Sequence, residues 1–136
     1  MSKVFEHTFR VPYADVDQMG VVYYARHFIY FEMARSAFLR ENDAPYAEME
    51  ARGVMLPVVA AHCDYRSPAH FDDLLVVYST MSVHGSRLRV ECTLKRRNDD
   101  EGSEDFLAKG YTEHVCMSPE GKVLRRDPVL RRIAEE

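Results

Sequence analysis

Cysteine is scarce in this chain. Cys63, Cys92 and Cys116 are odd in number, far apart and form no C-x-x-C pair, so neither a disulfide framework nor a zinc site is expected, no metal is expected elsewhere, and a reducing, cytoplasmic setting is. Positive charge is also in short supply. Lys and Arg number 18 against 22 Asp and Glu, for a net charge of −4, which leaves no overall field to gather a nucleic-acid backbone. Local clusters such as Lys95-Arg96-Arg97 read as a solvated face. Charged and polar residues interrupt every apolar stretch of residues 1–10, and no segment elsewhere approaches the ~18 apolar residues of a membrane span. Neither an export signal nor a membrane partner is expected. Absent too are GxxxxGK[ST], G-x-G-x-x-G and Gly-x-Ser-x-Gly, which removes nucleotide hydrolysis, dinucleotide binding and the serine-elbow hydrolases.

What is present is globular: 46% hydrophobic and 29% charged over 136 residues, enough for one core and too little for two, so residues 1–136 are read as one domain. Val4 to Val11 alternate, with Phe5, His7, Phe9 and Val11 on one side, and predict a half-buried strand. Pro12 interrupts it, and an ordered loop through Gly20 follows. From Tyr24 to Glu41 there is neither Gly nor Pro, and Phe28, Phe31, Arg35 and Phe38 recur at helical spacing, which predicts the longest helix. Pro45 to Arg52 predicts a short helix before Gly53. Period-two segments then run over Met55–Ser67, Leu74–His84, Arg87–Arg97 and Phe106–Met117, separated by turn residues, and predict four strands in an antiparallel meander. Pro128 to Ala134 predicts a last helical turn or two. Strands segregated from one main helix make an α+β arrangement, with the helix on one face of an antiparallel sheet. Unpaired strand edges point to a second subunit.

The loop before the helix is the specific feature. Tyr13-Ala14-Asp15-Val16-Asp17-Gln18-Met19-Gly20-Val21-Val22-Tyr23-Tyr24, running into Phe31-Glu32-Met33-Ala34-Arg35, resembles the signature of the 4-hydroxybenzoyl-CoA thioesterase branch of the hotdog superfamily, including its Tol-Pal-associated members. Tyr65-Arg66-Ser67-Pro68-Ala69-His70-Phe71-Asp72-Asp73-Leu74 carries a second resemblance. The resemblance implies a hotdog fold, an antiparallel sheet wrapped around one long central helix, and hydrolysis of an acyl-CoA thioester. Coenzyme A is then part of the substrate, no separate cofactor is needed, and a homodimer or homotetramer is implied.

Position by position, the resemblance makes Asp17 the nucleophile or general base and the backbone N–H of Tyr24 the group that polarises the thioester carbonyl. Gly20, Val21, Val22 and Tyr23 of the same motif are expected along the substrate, with the acyl thioester passing close to Gly20. Elementary physics agrees, because free N–H groups and partial positive charge at a helix start suit a developing oxyanion. The plain alternative, that Asp15 or Asp17 caps the helix or makes a turn, stays open, and Asp15 is read as structural. Relatives often place histidine where Tyr24 stands; His27, three residues on, is either a neighbouring imidazole or a packing residue. Glu32 either binds a polar acyl group or pairs along the helix with Arg35 or Ser36. Ser86 and Arg87, at a hairpin turn, are expected near the coenzyme A phosphates, with a solvated Arg87 as the alternative. A non-catalytic acyl-CoA-binding protein is the second functional reading. Dehydration of hydroxyacyl thioesters ranks last, since His84-Gly85 does not enter the long helix.

Overall fold

The alternating N-terminal segment forms strand β1 (Phe5–Arg10), and the long helical segment forms α1 (Arg26–Glu41), followed by the short α2 (Tyr46–Ala51). Four strands come next, β2 (Val58–Tyr65), β3 (Leu74–His84), β4 (Arg87–Arg97) and β5 (Glu104–Val115), and α3 (Pro128–Ile133) closes the order. These assignments come from a computed structural model, which describes residues 3–99, 102–125 and 127–134.

All strand pairings are antiparallel in one sheet of order β1-β3-β4-β5-β2. This corrects the four-strand meander expected from the sequence. β3, β4 and β5 do form a meander, but β2 pairs with β5 at the far edge, not with β3. Periodicity says which segments are strands and nothing about neighbours. The connection 66–73, too long for a tight hairpin, carries the chain from one edge to the sheet interior. Along that path it meets the loop after β1: Val22 N–H donates to Ala69 O at 2.8 Å, and Val21 bridges to His70.

α1 lies against the sheet face lined by Phe5, His7 and Phe9. It buries His27, Tyr30, Phe31, Ala34, Phe38 and Leu39, a stripe at three- and four-residue spacing. Phe38 packs on Phe5 with ring centroids 5.2 Å apart, and Tyr30 on Phe9 at 4.6 Å. Gly110 on β5 is required by this contact. A Cβ there would lie 2.9 Å from Phe31 Cε2 and collide with the His62 carbonyl of β2. One helix laid across a five-stranded antiparallel sheet is the hotdog arrangement anticipated from the motif. No helix among the described residues is long and apolar enough to cross a membrane.

Candidate active site

The segment Val16 to Val22 is a miniature β-hairpin. Val16 bridges Val22, Asp17 N–H donates to Val21 O at 2.9 Å, and Gly20 N–H donates to Asp17 O at 2.9 Å. Asp at the first position and a left-handed residue at the close suit a tight turn followed by a bulge, and Gly20 supplies that conformation at φ 80°. The side chain of Asp17 contributes to the turn: Oδ1 accepts from Met19 N–H at 2.9 Å. Its other carboxylate oxygen carries no hydrogen bond among the described residues. Asp17 thus makes the turn that the plain reading allowed, with one oxygen to spare.

Asp15 has a different environment. It is buried, Oδ2 accepts from the Tyr30 hydroxyl at 2.7 Å, Arg26 Nε stands 3.5 Å from Oδ1, and its carbonyl accepts from Tyr23 N–H at 2.9 Å. Burial first, and the Asp15 hydrogen bond second, push the Tyr30 phenol far above its ordinary range, so it stays a neutral donor. Asp15 therefore ties the hairpin to the second turn of α1.

The regular helix begins at Arg26, two residues after the Tyr24 start expected from composition. The first turn is tighter than an α-helix, with Arg26 N–H donating to Tyr23 O at 2.9 Å, His27 N–H to Tyr24 O at 3.3 Å and Phe28 N–H to Ala25 O at 3.3 Å. The Tyr24 carbonyl also accepts from the Tyr65 hydroxyl and from His27 Nδ1, each at 2.9 Å. These bonds fix two successive peptide planes by their carbonyls. Because N–H and C=O point oppositely in a trans peptide, the N–H groups of Tyr24 and Ala25 face away from the helix, and neither has an acceptor among the described residues.

A carbonyl can only accept, so His27 Nδ1 carries the proton and Nε2 is left as an acceptor. Burial holds this imidazole below its ordinary pKa, which keeps it neutral near pH 7. The His27 and Tyr65 rings meet edge to face at 4.7 Å, and the Tyr24 ring stands 6.5 Å from Tyr65. Together with Val22, Arg66 and Pro68 they wall an open cavity of about 280 Å³ at the start of α1. Tyr23, with its ring 4.7 Å from that of Tyr24, is exposed on the same side. The Tyr24 hydroxyl, first of all, raises the Tyr23 phenol above its ordinary value.

Asp17, Gly20, Val21, Val22, Tyr23, Tyr24 and His27 thus fall together at one end of the sheet. Glu32 sits farther along α1, 3.8 Å from Arg35. Ser86 and Arg87 do not join them within one chain. They lie at the opposite end of β3, whose 11 residues at roughly 3.3 Å each make a separation on the order of 35 Å. Arg87 there faces Glu113 at 3.9 Å and is largely exposed. A larger hollow of about 540 Å³, by Arg10, Arg96 and Asp99, is walled by closed ion pairs, including Arg10 to Asp99 at 3.1 Å and Arg96 to Asp105 at 2.9 Å. Tyr65 and Arg66 were missed as site residues. The signal for them was the motif Tyr65-Arg66-Ser67-Pro68, whose place beside α1 depends on β2 lying at the sheet edge.

In sequence and fold the chain is similar to known proteins. Residues 11–133 match the family model described as the thioesterase-like superfamily. The acyl-CoA thioesterase YbgC of Haemophilus influenzae is 37% identical over 115 residues, covering 83% of this chain and 80% of that protein. The 1,4-dihydroxy-2-naphthoyl-CoA hydrolase of a Synechocystis species is 31% identical over 120 residues, covering 87% and 85%. The crystal structure of the hypothetical protein TT1821 from Thermus thermophilus superposes with a TM-score of 0.81 at 34% identity over 95% of this chain and 96% of that one. With a family match across nearly its whole length, a hotdog sheet and helix, and the loop motif folded at the helix start, this chain belongs to the thioesterase-like superfamily.

Proposed function

We propose that this protein hydrolyses acyl-CoA thioesters, with Asp17 as the catalytic carboxylate and the Tyr24 N–H as the oxyanion donor. The observation that carries the reading is the pairing of a carboxylate oxygen without a hydrogen bond, on a rigid hairpin, with acceptor-free N–H groups at the first turn of α1. Asp17 either takes a proton from a water that attacks the thioester carbon, or attacks that carbon itself to give an acyl-aspartyl anhydride that water then cleaves to the free acid and Asp17. In both routes negative charge gathers on the carbonyl oxygen, the C–S bond breaks, and coenzyme A leaves as a thiolate that is then protonated. Backbone donors held in place before the reaction cost no reorganisation, and one such donor is worth on the order of 100-fold or more in rate. The relatives named for acyl-CoA hydrolysis support the substrate class.

The reading includes a two-fold dimer, placed in the cytoplasm, made by pairing β2 edges. Among the described residues the outer side of β2 has no strand beside it, Val58 and Val59 are about half exposed, and Ile29 and Met33 on α1 are exposed as well. Antiparallel pairing centred between Ala61 and His62 sets Val58 of one copy against Tyr65 of the other. The Ser86–Arg87 turn of the second copy then lies toward the Tyr24 end of the first, where coenzyme A phosphates could meet it.

A thiol-release assay over short, long and aromatic acyl-CoAs tests the assignment. Asn at position 17 can still accept from Met19 N–H, so Asp17→Asn preserves the turn and removes only the charge. Turnover is expected to fall on the order of 100-fold or more. Undiminished turnover would strip Asp17 of its role, and acyl-CoA binding without turnover by the native protein would favour the non-catalytic reading.

A further inference from the structure

Among the described residues Arg35 is a largely covered cation with few partners. Its side chain is 17% exposed, and its nearest carboxylate, Glu32, stands 3.8 Å away, is 64% exposed and lies beyond hydrogen-bond reach. Behind it, at 3.5 Å from Nη1, is Nε2 of His114, which is wholly buried. His114 Nδ1 lies 2.9 Å from the Leu56 carbonyl and must donate to it, so Nε2 is a lone pair, shared with the Thr112 hydroxyl at 2.9 Å. Burial, and beyond it the Arg35 cation, hold His114 below its ordinary value, so this support is a neutral imidazole. A buried guanidinium backed by a neutral acceptor and one loose carboxylate is poorly compensated.

Its remaining donors have a direction. Among the described residues the buried polar side-chain atoms lacking a hydrogen bond are His7 Nε2 and Ser79 Oγ, so the Arg35 nitrogens that lack one are not sealed in. They open onto a groove of about 440 Å³ walled by Glu32, Arg35, Ser36 and Tyr46 among apolar residues such as Leu39 and Leu56. The Tyr46 hydroxyl accepts from Leu56 N–H at 3.1 Å, which leaves its own proton free to donate into the groove. The lining of one groove thus holds the Arg35 guanidinium, the Tyr46 and Ser36 hydroxyls and several apolar side chains. That is a receptor for an anionic oxygen pair carried on a hydrocarbon stem.

We propose that this groove receives the far end of the acyl group and selects acyl-CoA thioesters whose acyl chain ends in a carboxylate. The proposal rests on the thioesterase reading and on β2 pairing for its reach. Within one chain, Tyr24 and Arg35 are eleven residues apart along the helix, roughly 16 Å at helical rise, too far for a short acyl group. Val58 also lines the Arg35 groove and Tyr65 lines the cavity at the start of α1, so the proposed β2 pairing would set the two cavities against each other. The thioester then sits at Tyr24 of one copy while the terminal carboxylate meets the partner's Arg35. Glu32 is the competitor that a bound carboxylate must displace.

Calorimetric titration of the Asp17→Asn protein with succinyl-, glutaryl- and adipyl-CoA, each against the unsubstituted butyryl-, valeryl- or hexanoyl-CoA of equal carbon number, reads the selectivity without turnover. At least one dicarboxylate is expected to bind about 10- to 100-fold tighter than its neutral partner, the usual worth of a charge-assisted contact. On the same background Arg35→Gln should erase that ratio, Arg35→Lys should keep part of it, and Glu32→Gln should widen it. Opposite effects of Glu32→Gln and Arg35→Gln are what a purely structural ion pair would not produce. If Arg35→Gln fails to fold, the Lys variant and Glu32→Gln still decide. Equal binding of every charged and neutral pair, in a protein whose native form turns over neutral acyl-CoAs, overturns the carboxylate preference and leaves the thioesterase reading standing. Neither binding nor turnover of any acyl-CoA overturns both.

Discussion

The outward face of β3, β4 and β5 and the free edge of β2 are built on opposite plans. On the outward face, charges are closed against one another. Arg89 lies 3.8 Å over the Tyr111 ring and 2.6 Å from Glu113, and Arg97 pairs with Glu104 at 3.0 Å while Tyr78 donates to the same carboxylate. On the β2 side the polar groups are few, the backbone edge has no neighbouring strand, and apolar side chains from β2 and α1 stand in the open. A face whose charges are paired and solvated has little to gain from a partner, whereas an apolar strand edge does. The two half-cavities, at Tyr24 and at Arg35, both border the unfinished side.

The largest test of that contrast is to charge the centre of the unfinished edge. Ala61→Asp places a carboxylate in the middle of β2 and should weaken self-association on the order of 100-fold or more, since the interface would bury an unpaired charge. Light scattering coupled to size exclusion reads the mass, and acyl-CoA turnover should fall with the dimer. Thr93→Asp, the same change on the outward face of β4, should alter neither. If Ala61→Asp stays dimeric and active, the β2 edge is not the interface.

The contrast also shows what the sequence could and could not reveal. Alternation in β1 and the stripe of α1 are local patterns, and both elements were legible to within two residues. The segment at Asp17 was recognisable as an ordered loop because turn chemistry and motif coincide in one short stretch, but its hairpin pairing was not. The place of β2 was not legible, because nothing in residues 58–65 says which strand they will join. What depends on that placement was hidden with it, above all Tyr65 against His27. Arg35 was read as part of the helical repeat and motif of α1 and as a helix partner of Glu32. Its deeper support, His114, is 79 residues away. A cross-sheet contact of this kind leaves no trace in spacing.

A middle-sized effect is expected where the helix meets the β2–β5 pair. Gly110→Ala forces a methyl group against Phe31 and the His62 carbonyl, and overpacking of this sort typically costs about 1–3 kcal/mol. Chemical denaturation should show the midpoint falling with an unchanged slope. Because the clash pushes β2 from β5, self-association should weaken alongside stability. A stability loss with no change in association would mean that α1 yields and not β2.

The smallest effect belongs to the finished face. Arg89→Ala removes the cation over Tyr111 and the ion pair with Glu113, yet the side chain is about one-third exposed and water screens what it contributes. Exposed pairs and cation–π contacts each amount to roughly 0–1 kcal/mol, so the midpoint of denaturation should move by about 1 kcal/mol or less and turnover should hold. The variant has a second use. If dimers stack into tetramers through this face, losing Arg89 removes a cross-strand clamp from the contact surface, and the assembly should halve in mass while remaining dimeric through β2. A tetramer that becomes a dimer on Arg89→Ala would show that the paired charges of the outward face serve a weaker, polar interface, and that the contrast lies between two kinds of contact.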